Sequence, residues 1–165
     1  METVYLETSI VSYLVADPSR DLVTTANQRV TQDWWQQRRE TFVCLISQEV
    51  IAEASRGDPE QVRRRLAVLS SLPRVAVNAD ALELARLFLG TGCLPPRAAR
   101  EAVHLAVATV MATDYLLTWN CRHLANAQIL KRLEQEAQRA RRILPRVCTP
   151  LELMGDSPYE TGSDS

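Results

Sequence analysis

A few acids and one of the two histidines of this chain stand where a carboxylate or an imidazole could do more than solvate a surface. Glu7 closes the short apolar run Val4-Tyr5-Leu6 and is followed at once by Thr8 and Ser9, which can begin a helix. An acid at such a junction sits in the favourable field of a helix N-terminus, and this alone could explain it. Glu49 and Glu53 are one helical turn apart and share a face, as solvated residues also do. Glu101 and His104 carry a stronger signal, because the run Ala98–Ala112 is alanine- and valine-rich on nearly all sides and reads as a buried helix. An ionised group there is costly unless it is paired or bound to a cation, so that face must turn towards a polar cleft or a partner charge. Asn120 ends the run Tyr115-Leu116-Leu117-Thr118-Trp119, and His123 just beyond it reads as a surface or capping residue rather than a ligand.

Several chemistries are excluded. The Glu101-x-x-His104 spacing occurs in di-iron bundles, but those need two such motifs and further glutamates on four long helices. Ser9 and Ser12 lack the Gly-x-Ser-x-Gly context of a nucleophile elbow, and two histidines offer little choice of general base. There is no Gly-x-x-x-x-Gly-Lys or Gly-x-Gly-x-x-Gly loop to cradle a nucleotide phosphate. The four cysteines (Cys44, Cys93, Cys121, Cys148) form no Cys-x-x-Cys pair and suit a reducing cytoplasm better than a disulfide scaffold.

The elements that must position these residues alternate between strand and helix. Strands are expected at Val4–Leu6, Phe42–Ile46, Val75–Val77 and Tyr115–Trp119, with an edge strand at Arg146–Cys148. Between them fall a helix capped by Thr8 or Ser9 and a second from near Thr24, with Val23, Ala26, Val30 and Trp34 as its apolar stripe. Ser47 caps a third. Asp58-Pro59-Glu60-Gln61 carries a full start signal for a fourth, with Val62, Leu66 and Leu69 inward and Arg63, Arg64 and Arg65 mostly outward. A fifth helix follows Asn78 with Leu82, Ala85 and Leu89 inward, the Glu101 helix begins after Pro95-Pro96, and a long one spans 126–142. Thr149-Pro150-Leu151-Glu152 repeats the capping logic for a last short turn. Trp34 and Trp35 are expected to pack a helix or a dimer contact. This alternation predicts a parallel sheet covered on both faces, with sites beyond the carboxyl ends of the strands, where Glu7 and Asn120 lie.

With 165 residues, 46% of them apolar and 24% charged, the chain fits one globular domain, here expected over 1–154, and an acidic Ser/Gly tail over 155–165 reads as disordered. The 19 basic and 20 acidic residues leave a net charge of −1, so any polyanion must meet a local basic patch. Eighteen of those basic residues are arginine and one, Lys131, is lysine. The opening Met-Glu-Thr-Val-Tyr-Leu-Glu has no basic segment and no long apolar run, so the expectation is a soluble, cytoplasmic protein with no membrane association.

Four stretches in order resemble one family. Val4-Tyr5-Leu6-Glu7-Thr8-Ser9, then Ser47 to Glu53 leading to Gly57-Asp58-Pro59, then Glu101-Ala102-Val103-His104-Leu105-Ala106, then Leu116-Leu117-Thr118-Trp119-Asn120 with His123-Leu124-Ala125-Asn126, look like a PIN domain of the VapC-like toxin and PIN nuclease branch. The likeness runs from about residue 3 to 154. It implies a three-layer α/β/α sandwich around a central, mainly parallel sheet of about five strands. It also implies an acidic cleft that binds Mg²⁺ or Mn²⁺ and hydrolyses RNA to 5′-phosphate and 3′-hydroxyl ends. On this resemblance Glu7, Glu53 and Glu101 take the metal-binding acid positions and Asn120 the fourth polar position, with Glu49 a neighbour. Ser9, His104 and Thr118 match positions that shape the site. Arg97, Arg100 and Arg122 are the arginines nearest the motifs for RNA phosphates, and Trp119 is a candidate for stacking on a base. A homodimer is implied, and a small antitoxin protein is an open partner.

The chain departs from the pattern where the family usually has aspartate, at Glu7 and Glu101, and at Asn120 where a carboxylate is common. The extra methylene of Glu101 moves its carboxylate by about one bond, and Mg²⁺ tolerates little distortion of its octahedron. The alternative reading is a catalytically degenerate PIN fold that binds RNA or protein.

Overall fold

The computed structural model describes residues 1–155; the expected tail lies, from residue 156 on, outside the described residues. Its sheet has five strands, β1 (Thr3–Leu6), β2 (Val43–Ser47), β3 (Arg74–Val75), β4 (Tyr115–Leu117) and β5 (Arg146–Cys148), in the order β3-β2-β1-β4-β5. Every pairing is parallel, with Tyr5 opposite Leu45 on one side and Leu116 on the other. Apolar residues without alternation mark these central strands because both of their faces are covered: Val4, Tyr5, Ile46, Leu116 and Leu117 are all fully buried.

Seven helices connect the strands: α1 (Thr8–Val15), α2 (Leu22–Gln37), α3 (Gln48–Ala54), α4 (Pro59–Leu69), α5 (Ala79–Gly90), α6 (Ala99–Val110) and α7 (Ala127–Arg139). The steps β1→β2→β3 run one way across the sheet, and right-handed crossovers put α1 to α4 on one face. The steps β3→β4→β5 run the other way and put α5 to α7 on the opposite face. The packing agrees, with α1 against α2, α3 and α4, and α5 against α6 and α7. The result is a three-layer α/β/α sandwich. Its connections diverge between β1 and β4, the switch point beyond whose strand ends sheets of this kind place their sites.

The expected elements are all present, with instructive shifts. Glu7 itself, not Thr8 or Ser9, caps α1, its carboxylate accepting from the Ser9 backbone N–H. Asp21 caps α2 and starts it earlier than expected. The proposed α2 stripe is wrong at its beginning: Val23 is 69% exposed and Ala26 is exposed, while Gln28, Thr31 and Trp34 face inward. Gln28 is paid back for its burial by hydrogen bonds to the backbone of Asp17 and Ser19, which apolar counting cannot see. On α5, Leu82 points outward, and Ala81, Leu84, Ala85 and Phe88 make the inner face. Arg65 folds back to donate to the carbonyls of Ala54 and Arg56 at the end of α3, and Arg64 reaches Val15 and Asp17, so only Arg63 of the three is fully outward. Trp34 is a core residue stacked on Phe42, and the Trp35 ring lies beneath the Arg39 guanidinium.

Candidate functional site

Strand β1 delivers Glu7 to this switch point, and the turn into α1 holds it there. The carboxylate is only 7% exposed, and its Oε2 accepts from the Ser9 N–H at 2.9 Å, from the Ser9 hydroxyl, and from Thr118 Oγ1 at 2.9 Å. No hydrogen bond among the described residues uses Oε1, which leaves one oxygen for a ligand. The Ser9 hydroxyl also accepts the Trp119 N–H at 2.8 Å, so the start of α1 is fastened to the segment that follows β4.

Glu53 arrives from α3. The Ser47 cap starts that helix at the end of β2, and Glu53 is placed at its inner edge. There Glu53 Oε1 meets His104 Nε2 of α6 at 2.5 Å. His104 is 1% exposed, and its other nitrogen, Nδ1, lies 2.7 Å from the Tyr5 hydroxyl, which in turn lies 2.7 Å from Ser47 Oγ. Glu7, Glu53 and His104 offer ligand atoms that all fall within 4.8 Å of one another. Donors around a small divalent cation at about 2.1 Å stand roughly 3–4 Å apart, so this spacing suits a shared ion. The two carboxylate oxygens are the hard donors such an ion prefers, while the His104 Nε2 is already engaged by Glu53.

The electrostatics of the trio follow from that pairing. Burial alone would push the His104 imidazole's pKa down, but the hydrogen bond to Glu53 and the negative charge of Glu7 and Glu53 outweigh it and leave it raised. Burial would push the Glu53 carboxyl up, and the hydrogen bond and charge of His104 reverse this, holding it below its usual value. The Tyr5 phenol is pushed far up, chiefly by burial, so it remains a hydroxyl throughout the working pH range.

Glu101 and Asn120 form a second group on the same cleft. Asn120 Nδ2 donates to Glu101 Oε1 at 3.2 Å, and the Asn120 backbone N–H donates to Thr118 Oγ1 at 2.9 Å. Thr118 therefore joins the two groups, accepting from one and donating to the other. Glu101 is not among the donors that lie within 4.8 Å of one another; its other neighbour is His123, 3.9 Å away. His123 is held by its own N–H to Asn120 Oδ1 at 2.9 Å, so it belongs to the rim of the cleft rather than to open surface.

The remaining expected residues are spread outward. Arg97, Arg100 and Arg122 are exposed, and Arg100 stands 3.9 Å from Glu49. Trp119 is half-buried: its indole N–H donates to Thr31 at 2.7 Å and its ring stacks on Tyr13. Tyr5 and the hydroxyl link of Ser47 were missed by sequence reasoning, which took Ser47 as a cap only. The available signal was a tyrosine in the middle of a buried strand, whose hydroxyl must find a partner.

Comparison with solved structures bears on the architecture. The fold is similar to that of VapC20 from Mycobacterium tuberculosis, a sarcin-ricin loop cleaving toxin, at a TM-score of 0.58 and 17% identity over 73% of this chain and 92% of that one. It is equally similar to VapBC2 from Rickettsia felis, solved bound to a DNA fragment from its promoter, at a TM-score of 0.58 and 17% identity over 89% of this chain and 98% of the other. The chain thus shares the three-layer α/β/α fold of these two structures. No protein-family model and no curated protein matches the sequence.

Proposed function

We propose that this chain is a divalent-metal-dependent endoribonuclease that hydrolyses RNA phosphodiester bonds and serves as the toxin of a toxin–antitoxin pair. The observation that carries this reading is the meeting of two carboxylates, Glu7 and Glu53, at the switch point of a fold shared with VapC toxins. Glu7 and Glu53 would hold Mg²⁺ or Mn²⁺, with Glu101 and Asn120 completing the polar set from the other wall. A divalent cation supplies charge compensation to the phosphodiester oxygens and a more acidic attacking water. The chain's own residues do the rest. Ser9 and Thr118 pin Glu7 so that one oxygen faces the cleft, His104 pins Glu53, and Glu53 or Glu101 aligns the water for in-line attack, leaving 5′-phosphate and 3′-hydroxyl ends. The exposed arginines Arg97, Arg100 and Arg122 are placed by sequence next to the site, where they suit phosphates beyond the scissile one. A small antitoxin protein, a second copy of the chain and a cytoplasmic setting complete the reading; among the described residues no helix is long and apolar enough to cross a membrane.

The test is cleavage of RNA, including a ribosomal sarcin–ricin fragment, by the purified chain. Cleavage is expected with Mg²⁺ or Mn²⁺, and none after chelation or in Glu7→Gln, whose side-chain oxygen can still cap α1. RNA left intact by the wild-type chain under every metal condition would contradict it. One observation favours a second reading, a fold that binds RNA or protein without cutting: Glu101 is tied to Asn120 and stands outside the Glu7–Glu53 cluster. A variant that starts to cut only when Glu101 is shortened to aspartate would mark that reading as the right one.

A further inference from the structure

Four buried or half-buried side chains from four different elements make an unbroken line through the molecule. Ser47 at the end of β2 touches Tyr5 of β1, Tyr5 touches His104 of α6, and His104 touches Glu53 of α3, at 2.7, 2.7 and 2.5 Å. We propose that Tyr5 and Ser47 are positioning residues of the cation site, acting through His104 to fix the Glu53 carboxylate opposite Glu7. This rests on the reading of Glu7 and Glu53 as cation-binding residues.

Packing alone does not explain the line. Tyr5 and Ser47 are fully buried, and a phenylalanine at position 5 would fill the same space without placing a hydroxyl out of reach of water. The hydroxyl gives the imidazole something it otherwise lacks. A histidine held at one nitrogen can rotate its ring about the Cβ–Cγ bond, whereas contacts at both Nδ1 and Nε2 define its orientation and which nitrogen faces the carboxylate. Glu53 needs that constraint because it reaches the cleft on a long, half-buried side chain. Glu7 does not, since its carboxylate is held by its own helix start and by Thr118. The two carboxylates of one site are thus fixed by different means, one locally and one through a relay that passes across β1 and α6.

The experiment uses the full chain and Mn²⁺ alone. Tyr5→Phe removes one oxygen, and its Mn²⁺ affinity by titration calorimetry is expected to fall roughly 10–100-fold, the usual cost of losing a residue that orients a ligand. The ring ¹⁵N signals of His104 in the metal-free protein should shift as well. Mn²⁺ affinity within about twofold of wild type, with the wild type binding normally, would overturn the positioning role while leaving the cation reading intact. A wild-type chain that binds no Mn²⁺ would sink the cation reading and the proposal with it. If Tyr5→Phe fails to fold, Ser47→Ala carries the test. It leaves the Tyr5–His104 contact in place but also removes the α3 cap, so two signals are read together: Mn²⁺ binding is expected to weaken measurably but less, with the His104 ring ¹⁵N signals shifted; unchanged affinity, or weaker binding with unshifted His104 signals, would overturn the proposal.

Discussion

Glu7 accepts from the Ser9 N–H and from Thr118 at 2.9 Å and Glu53 meets His104 at 2.5 Å, whereas Glu101 reaches Asn120 at 3.2 Å and His123 at 3.9 Å. In the first wall of the cleft Glu7 is nearly closed to water and held by Ser9 and Thr118, while the half-buried Glu53 is held by a buried His104 that is itself contacted at both nitrogens. The second stands at the start of α6 and in the turn after β4, with Glu101 half-buried on the helix that also carries the buried His104. Thr118 is the one residue that belongs to both. The contrast teaches that preorganisation in this site is uneven. Orientation is concentrated where Glu7 and Glu53 meet, and the wall of Glu101 and Asn120 is held more loosely.

Removing a charge from the first wall should have the largest effect. Glu53→Gln is expected to cut RNA cleavage by roughly 10²–10³-fold or more with the fold retained. Single-turnover cleavage together with circular dichroism checks this, and full activity would show that the contrast has been drawn around the wrong residues. Glu101→Gln should cost less, roughly 10–100-fold, as expected for a looser partner. Equal losses at Glu53 and Glu101 would erase the difference between the walls, and a gain in turnover for Glu101→Asp would show that the second wall is a handicap.

Smaller effects should appear in stability. Thr118→Val removes the buried link between the walls and leaves Glu7 with one fewer donor, at about 1–3 kcal/mol. This should appear as a lowered Tm, and a change within experimental error would mean the link carries no load. The Glu53–His104 pair also gives a signed pH dependence. His104 has a folded pKa above its ordinary 6.5, so its stabilisation is complete below that value and is lost as pH rises through the folded one. Glu53 has a folded pKa below its ordinary 4.5, so its stabilisation is present above that value and is lost as pH falls through the folded one. In metal-free buffer the Tm advantage of wild type over His104→Gln should therefore be greater near pH 6 than near pH 9, by about a degree or more. A difference that stays flat with pH would mean the pair does not titrate as its surroundings require.

Much of this was legible before any coordinates. The five strands, the seven helices between them and the capping signals at Ser47, Asp58 and Thr149 could be read because each is a local rule in which side chain and backbone answer one another. The position of Glu7 beyond β1 and of Asn120 beyond β4 followed from the same alternation. The inward face of α2 was not legible, because Gln28 and Thr31 are buried through hydrogen bonds to residues whose positions only the fold decides. Nor was the grouping of the acids. Sequence spacing puts Glu101 and His104 on one face, but it does not say that His104 reaches across to Glu53 while Glu101 turns to Asn120. Tyr5 escaped notice for a related reason: inside an apolar strand it looks like core, and its hydroxyl gains meaning only when Ser47 and His104 arrive from either side.

The most direct test is a crystal of the chain soaked in Mn²⁺ and measured at the manganese absorption edge. An anomalous peak between Glu7 and Glu53, within ligand distance of both carboxylates, is the predicted result. Good diffraction with no peak in the cleft, or with manganese bound only at other carboxylates, would contradict the account.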